Sequence, residues 1–350
     1  MEKIDFTAGN EKKFFDFIGK LGSERVALVS HTDLDGIICA KVVNRVVDVN
    51  VMKFVGYQAL DKNLVQELKN EKVKKVIFTD ISVENILFLR EIEKFADVLI
   101  IDHHIFQHDL NSPNTTFINA QGYSASYICY YLFHRMQKIE EMDWLVACAS
   151  ISDWMLFKGI GWLSEVYKKY GDMYRNDENL LKKGKLWDLQ YILSLVLIYF
   201  KDNLNMAYDF IPDEIEKVPV LEVYAKKVRE EIEGQTKLFE KQKEKMGEVY
   251  FWLINPKYDV REIIVNRLCQ VEKSKIFIVA QRRGRFYHIS ARRQDKKVNL
   301  PDVLRSLIKG FAESSAGGHI PAAGCLVLSK DIDEFRERLK KLDAKFIISS

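Results

Sequence analysis

His31, Asp33 and Asp35 occupy alternate positions directly after an apolar run at residues 25–30, and Gly36 follows them. Asp80 ends a second apolar run at 73–79, and Asp102, His103 and His104 end a third at 96–101. Side chains at i, i+2 and i+4 of an extended segment point to one side, so the first three form a single face of possible ligands. A mixed carboxylate and imidazole set without thiolates suits Mn²⁺ or Mg²⁺ better than structural zinc. Two such cations about 3.5–4 Å apart, bridged by one carboxylate, activate water and stabilise a leaving oxygen in phosphoryl transfer. Asp80 is the natural bridge, because its strand is expected between the other two.

Each residue alone has a plainer explanation. Asp33 or Asp35 would serve as the N-cap of a following helix, and His31 as a satisfied core imidazole. What points to chemistry is the set, repeated at equivalent ends of three apolar runs. In an open parallel sheet, ligands bind beyond the carboxyl ends of the strands.

The elements that must hold these residues alternate strand and helix. An amphipathic helix is expected over 9–21, closed by Gly22, then a strand at 25–30 and an apolar helix through Ile37, Ile38, Ala40, Val42 and Val43. Strands at 51–55, 73–79, 96–101 and 115–118, with helices at 63–71 and 82–95, complete a doubly wound, mainly parallel α/β pattern. Gly36, at the first strand-to-helix turn, permits close backbone approach. After Gly122 the chain reads as helical: 124–136, 143–150, and onward to 245 with a turn at 182–185. Strands return at 249–254, 275–280 and 286–290, the last two joined as a hairpin at Arg283 and Gly284. The expected organisation is a domain at 1–222 with a helical part at about 123–222. A connecting helix at 223–248 then leads to a smaller α/β domain at 249–350.

Composition bounds the function. At 350 residues with 47% hydrophobic content, the chain is long enough for two packed domains. Five scattered cysteines (Cys39, Cys129, Cys148, Cys269 and Cys325) form no CxxC pair and fit a reducing, cytoplasmic setting. The N-terminus has no signal-peptide pattern. The longest apolar run, 191–200, is about half the length that spans a bilayer, so no membrane association is expected. Net charge is +3 but uneven: residues 249–350 carry 20 Lys/Arg against 11 Asp/Glu. An acidic N-terminal part for cations and a basic C-terminal part for phosphates would be complementary.

The ordered set His-x-Asp-x-Asp-Gly, a strand-end Asp, and Asp-His-His resembles the DHH phosphoesterase superfamily of RecJ-like exonucleases, oligoribonucleases and small-nucleotide phosphodiesterases. The tail strengthens the likeness: Gly317-Gly318-His319 with Ala322-Ala323-Gly324, preceded by Ser290-Ala291-Arg292, resembles the DHH-associated C-terminal domain. The resemblance runs from residue 25 to about 340, with little signal in the middle helices. It implies that His31, Asp33, Asp35, Asp80, His103 and a fourth-motif Asp hold two cations, Mn²⁺ with Mg²⁺ as the alternative. The fourth-motif residue is read as Asp153, with Asp143 as the other candidate. Asp102 would orient an imidazole from behind. His104, with Asp80, would act at the scissile phosphate. Many members place the first-motif His four residues before the first paired Asp, which here is Val29. His31 either replaces that ligand from another backbone position or leaves the first metal held less tightly.

In the C-terminal domain, Arg292 and Arg293 are expected to clamp phosphate, and Gly317, Gly318 and His319 to contact substrate. The basic run Arg282, Arg283, Arg285, Arg292, Arg293, Lys296 and Lys297, with Phe286, Tyr287 and His288, could track a single strand; a solvated hairpin is the plainer alternative. The resulting expectation is a metal-dependent 3′–5′ exonuclease on single-stranded DNA or RNA or short oligonucleotides, with a place in DNA repair. A phosphatase or phosphodiesterase for adenosine bisphosphate or a cyclic dinucleotide is the second reading, and an inactive nucleic-acid scaffold the third. Self-association as a homo-oligomer is common in such folds; no protein partner is legible.

Overall fold

The computed structural model describes residues 2–155, 158–173 and 183–342. The chain divides into two compact units, Met1–Ala225 and Lys226–Ser350, the break falling inside the helix Glu222–Gln242. The turn expected at 182–185 lies partly outside the described residues. Its Gly184 adopts φ 103° and the helix Lys185–Tyr199 follows.

The first unit is built on five parallel strands: β1 (Val26–Ser30), β2 (Val51–Phe54), β3 (Lys75–Thr79), β4 (Asp97–Asp102) and β5 (Thr115–Asn119). Their order is β2-β1-β3-β4-β5, with every pair parallel. The strand order reverses between β1 and β3, and that is where such sheets open a crevice. Both faces are covered, so the strands read as unbroken apolar runs. Ala27, Val29, Val76, Phe78, Val98 and Ile100 pack in one core with Leu64, Leu68, Phe88, Leu89 and Ile92 from the helices Lys62–Asn70 and Ile86–Glu93. The intervening Leu28, Ile77, Leu99 and Ile101 are equally buried. The helix expected at 82–95 is shorter at both ends. Asn85 accepts from the Phe88 N–H and starts it there, which leaves 82–84 outside the helix.

The turn after β1 is the tightest point of the site. Asp33 caps the helix Leu34–Val46, accepting from the Gly36 N–H at 3.0 Å. The Ser30 hydroxyl donates to the Gly36 carbonyl at 2.7 Å and accepts from Thr79 Oγ1 at 2.7 Å, which ties the ends of β1 and β3 together. A Cβ on Gly36 would lie 2.5 Å from the His31 carbonyl oxygen, so only glycine allows the chain to fold back on itself here.

The second unit carries a six-stranded mixed sheet: β6 (Glu244–Met246), β7 (Val249–Ile254), β8 (Ile276–Arg283), β9 (Phe286–Arg292), β10 (Ser315–His319) and β11 (Ala322–Leu328), in the order β10-β11-β9-β8-β7-β6. Phe251, Ile278, Ala280, Leu304 and Phe335 centre its core. β6, β10 and β11 have no counterpart among the strands expected from sequence. No described helix is long and apolar enough to cross a membrane.

Substituting Gly36→Ala forces its new methyl group against backbone. We expect a loss of about 1–3 kcal/mol, as for other overpacking changes, with the fold retained. Urea denaturation of wild type and variant checks this, and equal midpoints would contradict the close-approach argument.

Candidate metal centre

The three strand ends and one helix end converge. β1 delivers His31, Asp33 and Asp35; β3 delivers Asp80; β4 delivers Asp102, His103 and His104; the helix Asp143–Ser152 ends at Asp153. Their ligand atoms form three overlapping groups, each with all atoms within 4.8 Å: Asp80 with Asp102, His103 and His104; His31 with Asp33 and Asp80; Asp35 with His103 and Asp153. Asp143 is not among them. It binds the Lys169 ammonium at 2.7 Å and the Tyr170 hydroxyl at 2.8 Å, a structural pairing that separates it from the cluster.

Asp80 sits at the centre with 2% exposure. One carboxylate oxygen lies 3.3 Å from His103 Nε2; the other lies 3.7 Å from His31 Nδ1 and has no hydrogen-bond partner among the described residues. Its backbone is left-handed, with φ 55°, and its N–H donates to the Ile101 carbonyl at 3.0 Å. Such a conformation in a non-glycine residue persists only where the surroundings enforce it. Burial pushes its carboxyl well above the ordinary range, and Asp33, Asp35, Asp153 and Asp102 push it further.

The flanking acids divide by partner. Asp33 is half-exposed, and despite desolvation by its surroundings its carboxyl stays below the ordinary range, because the His31 ring lies against it and the Gly36 N–H donates to it. It therefore caps a helix with one oxygen and meets His31 Nδ1 at 2.9 Å with the other. Asp35 is 1% exposed, and its oxygens accept from the Ala125 and Ser126 N–H groups at 2.7 and 3.1 Å. These are the first residues of the helix Ala125–His134, so the carboxylate faces the positive end of that helix. Burial nevertheless pushes Asp35 upward, and Asp33 adds to this against His103 and Ser126. Asp153, 3.4 Å from His103 Nδ1, is raised to about 9 by burial and then by Asp35, Asp33 and Asp102.

Asp102 accepts from His104 Nδ1 at 2.7 Å. Burial opposes the Asp102 charge, but that hydrogen bond holds its carboxyl low; the same bond lifts His104 against its own desolvation. Asn119 Nδ2 donates to the His104 carbonyl at 3.0 Å and fixes the turn. Tyr57, which no motif marks, brings its hydroxyl to 3.0 Å from His104 Nε2. Crowded, buried and partly unpartnered carboxylates with imidazoles among them are a donor set that divalent cations fit.

In the second unit, strand register assembles three separate pieces of sequence. Gly317, Gly318 and His319 on β10 pair with Gly324, Ala323 and Ala322 on β11, which in turn pair with Ser290, Ala291 and Arg292 on β9. Gly318 has φ 126°, and a Cβ there would meet the Ala322 carbonyl oxygen at 2.5 Å. Arg292 donates to Asn266 at 2.7 Å. Arg293 departs from the expected clamp. It is 6% exposed, and Asp295 takes its fork at 2.7 and 2.9 Å, so its charge is spent inside the fold. Arg261, absent from the motif reading, is buried beside Ser290 and donates to its hydroxyl at 2.8 Å. Of the expected stacking residues, Tyr287 packs partly against the core.

The N-terminal domain model of the DHH family matches residues 25–152, and the DHHA1 domain model matches 249–344. A search of curated proteins finds no match. Among solved structures, RecJ in complex with Mn²⁺ from Thermus thermophilus aligns at TM-score 0.70 and 15% identity, over 98% of this chain and 56% of that one. The present chain thus spans little more than half of that RecJ. An exonuclease RecJ bound to manganese aligns at TM-score 0.69 and 14% identity, covering 99% and 96%. CDC45 from Entamoeba histolytica aligns at TM-score 0.66 and 9% identity, covering 95% and 99%. At these identities the structural likenesses establish a shared fold.

Two outcomes follow from the crowding. Asp80→Asn removes a carboxyl that must keep a proton in the folded state which the unfolded chain releases, so at neutral pH the metal-free variant is expected to melt above wild type. Wild type alone should gain stability from Mn²⁺, by about 2.7 kcal/mol at a hundredfold excess over Kd. Thermal melts with Mn²⁺ and with chelator measure both effects. Separately, Asp80 and Asp153 hold protons in the folded state that the unfolded chain releases near the ordinary carboxyl value of 3.8. Their contribution is complete below that pH and is lost as the pH rises toward about 9, where Asp153 ionises. With chelator present, urea midpoints are therefore expected to be lower at pH 9 than at pH 6, and the reverse order would refute the assignment.

Proposed function

We propose that this chain, whose two parts match the DHH and DHHA1 domain models, is a phosphodiester hydrolase of the DHH phosphoesterase superfamily, and more finely a two-metal 3′–5′ exonuclease on single-stranded nucleic acid or short oligonucleotides. The observation that carries the reading is the pair of Asp80 oxygens, one toward His31 and one toward His103. That is how a carboxylate shared between two cations is presented. His31, Asp33 and Asp80 would hold one cation; Asp35, His103, Asp153 and Asp80 the other. Mn²⁺ suits the imidazoles and Mg²⁺ is the alternative. When bound, such cations supply positive charge that activates water and neutralises the phosphate.

The chain's own residues do the rest. Asp33 and Asp35 are locked to helix N-termini, so they present their carboxylates without reorganising. Asp102 holds the His104 ring by Nδ1 and leaves Nε2 turned to the Tyr57 hydroxyl. A strand longer than a dinucleotide is favoured by the basic composition of 249–350 and by the exposed Arg282, Arg285, Lys296 and Lys297. Arg292, on β9 and separated from the glycine-rich β10 by β11, is the residue we assign to substrate phosphate, with Gly317, Gly318 and His319 one strand further on.

The test uses a 5′-labelled single-stranded 20-mer and a dinucleotide, each as DNA and RNA, with Mn²⁺ or chelator. A ladder shortening from the 3′ end is expected, lost with chelator and reduced more than about 100-fold in Asp80→Ala. Cleavage of the dinucleotide alone would move the assignment to small-nucleotide turnover. No cleavage of any substrate would sink both.

Arg292→Ala should raise KM for the 20-mer by about tenfold or more, as loss of a charge-assisted contact does, while kcat moves little. A fall in kcat with KM unchanged would place Arg292 outside substrate binding.

A further inference from the structure

Tyr57 lies in the short turn Tyr57–Ala59 after β2, outside every motif. It is 44% exposed and therefore open to a substrate. Its ring leans on His31, with centroids 5.1 Å apart, and stands edge-on to His104 at 6.0 Å. Its hydroxyl is 3.0 Å from His104 Nε2, while the opposite nitrogen of that ring is 2.7 Å from Asp102. Carboxylate, imidazole and hydroxyl thus form one continuous hydrogen-bonded row that runs from the buried end of β4 to solvent. A hydroxyl in this place covers His104 Nε2, the ring nitrogen that Asp102 does not hold.

Resting on the reading of this site as a phosphodiester hydrolase, we propose that Tyr57 is a catalytic residue that relays a proton from His104 to the leaving oxygen. The step balances without any further reactant. Water oxygen bonds to phosphorus, and the bond from phosphorus to the leaving oxygen breaks. The Tyr57 phenolic hydrogen passes to that oxygen as the His104 Nε2 hydrogen passes to the Tyr57 oxygen. The proton lost by the attacking water goes to solvent, and His104, which begins with hydrogen on both nitrogens and is left with a bare Nε2, takes one back from solvent before the next turnover. Tyrosine is neutral before and after, and Asp102 keeps its hydrogen bond to Nδ1 throughout. The row also explains why an exposed aromatic side chain is held against two imidazoles at a site that must stay open.

The distinguishing variable is the leaving group. A sugar hydroxyl needs a proton as it departs, whereas nitrophenolate leaves as a stable anion. Tyr57→Phe keeps the ring and its packing on His31 and removes only the relay. It is expected to lower kcat on the dinucleotide about 100-fold, within the usual range for general-acid catalysis, and to change kcat on thymidine 5′-(p-nitrophenyl phosphate) less than about threefold. Mn²⁺ titration and thermal melting of the variant should match wild type. An equal loss on both substrates overturns the relay and leaves Tyr57 as a substrate or packing contact. No loss on either, with impairment confined to Tyr57→Ala, overturns it in favour of an aromatic cover. Wild type inactive on both substrates with Mn²⁺ would overturn the hydrolase reading itself, a failure distinct from any behaviour of the variant.

Discussion

The structure depends on holding several carboxylates closer together than water or pairing alone would allow. Asp80 is buried, one of its oxygens lacks a partner among the described residues, and four other acids raise its proton affinity. An isolated buried charge is among the most destabilising features a fold can contain. The protein nonetheless fixes this residue in a left-handed conformation by a bond to the Ile101 carbonyl. Protons relieve the repulsion when no cation is present, and a cation meeting several carboxylates at once would relieve it further. The end of β3 is therefore organised around an interaction that side chains alone leave unfinished.

The neighbouring acids tie that unfinished interaction to the fold. Asp33 caps the helix Leu34–Val46, and Asp35 holds the first N–H groups of Ala125–His134. At Asp33 the plainer explanation as a cap and the chemical one are compatible, because one oxygen accepts from Gly36 and the other meets His31 Nδ1. This dual use has a mechanical consequence. The two helices pack against each other, so ordering them orders the ligands, and no loop must close to assemble the first half of the cluster. Preorganisation of this kind is what electrostatic catalysis requires.

Much of this is legible in sequence, for identifiable reasons. Parallel strands buried on both faces leave unbroken apolar runs, and 25–30, 73–79 and 96–101 stand out for that cause. The acids at their ends follow from where ligands bind in such sheets. The helix expected at 82–95 is too long because its apolar spacing continues past the Asn85 cap. β10 leaves no strand signal because Gly317 and Gly318 carry little strand propensity, although the register they keep with β11 and β9 is regular. Arg293 looks like Arg292 from its position alone, and only the pairing with Asp295 separates a structural guanidinium from an available one. Tyr57, Arg261 and the partners of Asp35 are tertiary facts. Each depends on a residue more than 25 positions away, and no local pattern encodes it.

A fold shared by proteins named for different roles cannot choose between catalysis and scaffolding; the side chains must. A scaffold that only binds nucleic acid has no physical use for Asp80. Replacing it with asparagine would relieve the repulsion and leave every strand pairing intact. Asp153 makes the same case, because it lies on a helix end rather than a sheet and its carboxyl is raised first by burial and then by Asp35, Asp33 and Asp102. Two residues from separate elements, each destabilised by the same neighbours, are a cost that packing of the fold alone does not explain. The basic second unit does not weaken that argument. Positive charge at Arg282, Lys296 and Lys297 would attract a phosphate backbone under either reading, so the acid cluster alone separates the two readings.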